Sequence, residues 1–84
     1  MDIITLLTKI YETLNQLILE HDDLETFEFY QSIQYMLDAD SFNYNDSYML
    51  SILESIIFIF IGYNVDYKLV DEIRNYITTN KLSH

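Results

Sequence analysis

The chain contains no cysteine, no proline and no tryptophan, and its 84 residues include one glycine, Gly62. Without cysteine there are neither disulfides nor thiolate metal ligands, so folding rests on packing, a composition that suits a reducing cytosol. The near absence of proline and glycine leaves no stretch resembling a flexible interdomain linker, and it excludes a glycine-rich phosphate loop. The longest uninterrupted apolar run, residues 56–61, falls far short of the ~20 residues that a membrane span needs. Met1 leads into an amphipathic pattern through Asp2 with no basic region, so no secretory signal is expected. Cations are scarce too: four Lys and Arg stand against fourteen Asp and Glu, a net charge of −10.

What is present is half hydrophobic, which separates the chain from a disordered acidic tail. Length allows one domain, residues 1–84, with a small core. Between Lys9 and Lys68 lie eleven acids and no lysine or arginine. Such charge costs stability through self-repulsion but speeds encounter with cationic partners. It also argues against direct binding to nucleic acid or to anionic membranes. The expectation is a cytoplasmic protein that meets a positively charged protein.

Apolar spacing predicts an all-α fold, a small antiparallel four-helix bundle with helices over about 2–20, 24–37, 47–61 and 66–80. Ile3, Leu6, Leu7, Ile10, Leu14, Leu17 and Ile18 share one stripe of the first helix, with Asp2 at the N-cap position and "HDD" at its end. Asp23 is a plausible N-cap for the second, where Phe27, Tyr30, Ile33 and Leu37 form the apolar side opposite Glu25, Glu28, Ser32 and Tyr35. The third is apolar nearly all round. Its polar strip is Ser47, Ser51, Glu54 and Ser55, and Phe58 projects onto the same strip. "IIFIFI" has strand propensity, but no second strand exists to pair with it. Gly62 stands where a helix-ending C′ glycine usually does, and Leu69, Val70, Ile73, Tyr76 and Ile77 share a face of the fourth helix. Phe27, Tyr30, Phe60 and Tyr76 are expected to point inward.

Catalytic signals are weak, and no catalytic residue, cofactor or metal is expected. The histidines are His21 at a helix end, read as a positive partner for the helix C-terminus, and His84 at the chain terminus. Asp38 and Asp40 alternate as in an EF-hand, yet that loop would then need an acid or amide at Phe42, glycine at Asn43 and glutamate at Met49. "ADSF", 39–42, resembles the acyl carrier protein motif, which would make Ser41 a phosphopantetheine attachment point. Against that, "NYNDS" delays the next helix and a helix rather than a loop precedes the serine, so a turn or capping role for Ser41 is preferred.

The densest charge is "EHDDLETFE", residues 20–28, with five acids and no lysine or arginine. It is read as part of a partner-binding face centred on Asp22, Asp23, Glu25 and Glu28. Asp38, Asp40, Tyr44 and Asp46 either extend that face or form a separate contact, because the second loop of an up-down bundle lies at the opposite end from the first. Tyr35, Tyr44, Tyr48 and Tyr63 are hard to bury together, and exposed tyrosine beside carboxylate suits protein recognition. Tyr35, Tyr63 and Phe58 are further interface candidates, and Phe58 also suits self-association, making the chain a monomer or weak dimer.

"LESIIFIFIGYNVDY", 53–67, followed by "LVDEIRNYI", 69–77, resembles small acidic α-helical immunity proteins of the colicin D and contact-dependent-inhibition type. That resemblance implies a cytosolic inhibitor of a tRNA-cleaving toxin domain, with carboxylates placed where RNA phosphates would lie. A nucleic-acid mimic encoded by a phage, such as an anti-CRISPR protein, is the nearest alternative. The acyl-carrier reading is a further one.

Overall fold

The computed structural model describes residues 2–38 and 47–82, with side chains through Asn80. Four helices occupy them: α1 Ile3–Glu20, α2 Leu24–Asp38, α3 Ser47–Gly62 and α4 Tyr67–Leu82. No strand occurs among the described residues. The expected all-α class with four helices is therefore what the structure shows, and "IIFIFI" is helical within α3. No helix among the described residues is long and apolar enough to cross a membrane.

The chain divides into two compact units, Met1–Phe42 and Asn43–His84. In the first, α1 packs on α2; in the second, α3 packs on α4. Each is a helical hairpin, because a short connection sends the second helix back along the first.

In the first hairpin α1 buries Ile3, Leu6, Leu7, Ile10, Leu14 and Leu17, the expected stripe, while Ile18 is half-buried. Asp2 occupies the N-cap position with extended backbone, but its side chain makes no cap bond; its carbonyl accepts the Leu6 N–H at 3.0 Å. The helix ends where the His21 N–H bonds Leu17 O at 2.7 Å, and the His21 imidazole lies 3.9 Å from Glu20. Asp23 then caps α2. Its Oδ1 accepts the Glu25 N–H at 3.1 Å, and its Oδ2 accepts the Thr26 hydroxyl at 3.0 Å.

The buried face of α2 is rotated from the expected one. Thr26, Ile33 and Met36 are buried, Tyr30 and Leu37 only half-buried, and Phe27 is 41% exposed. With the fully buried Thr26 hydroxyl turned to Asp23, the next side chain points 100° further round the helix, so Phe27 lands on the flank.

In the second hairpin α3 buries Met49, Leu50, Ile52, Leu53, Ile56, Ile57 and Phe60, and α4 buries Leu69, Val70, Ile73 and Ile77. Tyr76, expected inward, is half-buried. Asp66 caps α4, its Oδ1 accepting the Lys68 N–H at 3.0 Å. Gly62 is the last residue of α3, as expected, but not its C′ residue: Asn64, two positions on, adopts the left-handed conformation with φ 56°. The bonds Val65 N–H to Phe60 O (2.9 Å) and Asn64 N–H to Ile61 O (3.2 Å) make a Schellman turn with asparagine in glycine's usual place. Asparagine tolerates that conformation, and Gly62 then needs no special backbone geometry. A Cβ added at Gly62 meets nothing within 4 Å. Gly62→Ala is therefore expected to stabilise the protein by about 0.5–1 kcal/mol, read as a higher urea midpoint at unchanged slope.

Candidate functional site

The acidic site is built on the first hairpin, from the connection after α1 and the outer flank of α2. Asp22 is exposed in the connection, and Glu25 and Glu28 are exposed one turn apart on α2. Ser32 continues this flank, donating its hydroxyl to Glu28 O at 3.1 Å, and Tyr35 ends it at 77% exposure. From Glu25 to Tyr35 the stripe runs ~15 Å along the helix. It carries two carboxylates and one phenol, with Asp22 at its head.

Asp23 differs from these three. Both of its carboxylate oxygens are engaged inside the turn, so it contributes structure first and charge second. Asp23→Ala is expected to cost about 1–2 kcal/mol through the lost cap, with the buried Thr26 hydroxyl adding to it. Asp22→Ala on the exposed connection should stay within about 0.5 kcal/mol of the parent. Urea unfolding of the pair separates the two roles, and Asp23→Asn, which keeps a capping oxygen, should fall between them.

Asp38 is the last residue of α2 and is exposed, and its charge helps raise the pKa of the Tyr11 phenol on α1. Asp40, Ser41, Tyr44 and Asp46 lie outside the described residues. In the second unit Phe58 is 76% exposed, Tyr48 is exposed and Tyr63 is half-buried in the turn after α3.

Charge divides between the units. Met1–Phe42 holds nine acids and one lysine, a charge of −8, whereas Asn43–His84 holds five acids and three cations, a charge of −2. Among the described residues no group of three or more His, Asp or Glu is placed to hold a metal ion.

Sequence reasoning gave Tyr11 no role. Its ring stacks on Tyr30 with centroids 4.7 Å apart, the two hydroxyls share a hydrogen bond at 2.7 Å, and Phe27 continues the column 6.2 Å from Tyr30. The available signal was that Tyr11 and Tyr30 both border apolar stripes, at comparable distances either side of the connection. The bond to Tyr30 raises the Tyr11 pKa above its ordinary 10, with burial and the Tyr30 and Asp38 charges adding to it. A raised pKa means that the folded state holds the proton more tightly. Its stabilising effect is complete below the unfolded value and is lost as pH climbs through the folded one. Stability should therefore decline above pH ~10, and Tyr11→Phe should flatten that decline. Phenolate absorbance followed alongside circular dichroism checks this. An unchanged alkaline profile in the variant would contradict it.

Compared with protein families, with curated proteins and with solved structures, the chain matches none.

Proposed function

We propose that this chain is a cytosolic inhibitor, of the immunity-protein kind, that binds a cationic nuclease domain and occupies its RNA-binding surface. The observation that carries this reading is the uncompensated acidic flank. Asp22, Glu25 and Glu28 lie exposed on a hairpin of charge −8, inside a stretch of sequence from residue 10 to 67 without lysine or arginine. A nuclease cleft must be rich in lysine and arginine to hold phosphates, and carboxylates meet those groups as phosphates do. Tyr35 on the same flank adds a broad amphipathic ring at low entropic cost, the kind of anchor that protein interfaces favour. Asp40, Tyr44 and Asp46 extend the binding surface in this proposal, with Tyr63 as a separate contact.

The test is inhibition in a defined mixture. A nuclease domain encoded beside this gene, assayed on tRNA, is expected to lose its activity as the protein is added to equimolar amount. Cleavage that continues unchanged at a molar excess of the protein would overturn the proposal.

A further inference from the structure

The second hairpin carries a face that the acidic flank does not explain. Phe58, Ile61 and Tyr67 are large apolar residues at 76%, 49% and 71% exposure. Around them run two adjoining hollows of about 330 and 260 Å³ that share Ile61 and Arg74 as walls. Val65, Tyr67 and Val70 line the first; Phe58 and Glu54 border the second. Glu54, Phe58 and Ile61 succeed one another at helical spacing on α3, and Tyr67, Val70 and Arg74 do so on α4, so the face is a continuous two-helix surface.

Charge decides what fits there. Arg74 sits in the middle of the face, and its contact with Asp71 is a long one at 4.0 Å between half-exposed groups. Glu54 and Asp71 stand beside that guanidinium, so the face carries both signs of charge, unlike the acidic flank of the first hairpin. A second copy of the chain is complementary. It brings Phe58 as a projecting ring, a hollow walled by Ile61 and Arg74, and Glu54 beside the ring to meet Arg74. It also makes contact through the unit of charge −2 rather than the unit of charge −8, where repulsion between two copies is least.

We propose that the Phe58–Arg74 face is a two-fold self-association surface. Phe58 of each copy enters the partner's hollow beside Ile61, and Glu54 of each copy faces Arg74 of the other. A two-fold axis makes both contacts occur twice, since an isologous interface uses the same patch on both subunits. The dimer is weak, because one small apolar face must overcome repulsion between two chains of charge −10. Its response to salt is opposite to that of the nuclease contact: added salt screens the net repulsion and tightens the dimer, while it weakens binding to a cationic partner.

Sedimentation equilibrium of the full chain tests this. The wild type is expected to dimerise with a dissociation constant that falls as salt rises from about 0.05 to about 0.5 M. Phe58→Glu is expected to raise the constant about 30-fold or more, as loss of a central aromatic anchor does, with the helical circular dichroism retained. Arg74→Glu should be monomeric, and mixing it with Glu54→Arg should restore a heterodimer, because every cross-pair is then of opposite sign. A wild type that stays monomeric at millimolar concentration in high salt overturns the proposal. So does a dimer indifferent to both Phe58→Glu and Arg74→Glu. If Phe58→Glu fails to fold, the outcome rests on the Arg74 and Glu54 charge swap, and failure of the mixture to associate counts against the proposal.

Discussion

Asp22→Asn, Glu25→Gln and Glu28→Gln together should slow association with a cationic nuclease by ~10 to 10³-fold at low salt, while the helices stay intact. Asp23 is left in place because its carboxylate caps α2, and its replacement would mix a folding defect with a binding one. The gap between parent and variant should close as ionic strength rises, since steering acts over a Debye length of ~10 Å at 0.1 M salt. The control removes the same charge at Asp2, Glu12 and Asp71, none of which belongs to the flank. If both triple variants lose the same association rate, net charge alone governs the encounter. If neither loses any, the acids are a solvated surface. A loss that appears in dissociation instead would place Glu25 and Glu28 in the buried part of the contact.

Phe60→Ala is expected to cost 3–5 kcal/mol, whereas Phe58→Ala should stay within ~0.5 kcal/mol of the parent. The two rings are two residues apart on α3 and therefore point to opposite sides of it. Phe60 is completely buried; Phe58 is mostly in water. Domains hold ~0.05–0.15 kcal/mol per residue, so the loss at Phe60 removes about a quarter or more of what a chain of 84 residues has. Urea titrations of the two variants, read by circular dichroism, decide this. Equal destabilisation would mean that Phe58 is core, and its self-association role would fall with that result.

The helices were legible before any coordinates because their signals are local. The stripe from Ile3 to Leu17 repeats at helical period, and "HDD" supplies both a stop and a cap, so α1 and the start of α2 follow from neighbours within a few residues. Phe58 on a polar strip is likewise a matter of angle along one helix, and it is exposed as that angle requires. The high negative charge and its concentration in residues 20–28 are properties of composition, and folding leaves them unchanged.

Other features depended on groups that meet only after folding. In the interior of the first hairpin Thr26, its hydroxyl satisfied by the Asp23 carboxylate, stands where an apolar count placed Phe27. The turn after α3 was assigned to its glycine on propensity, yet the hydrogen bonds from Asn64 and Val65 put the left-handed residue two positions later. Asp38, expected in the second loop, is instead the last residue of α2, where its charge reaches the Tyr11 phenol. Sequence alone determined the number, extent and type of the helices and the sign of the chain's own charge, because periodicity, capping and composition act over short range. Tertiary structure decided which acids share a flank, which aromatic rings stack and which remain in water, because those depend on how each helix is rotated against the one it packs on, which side-chain interlocking across the hairpin sets.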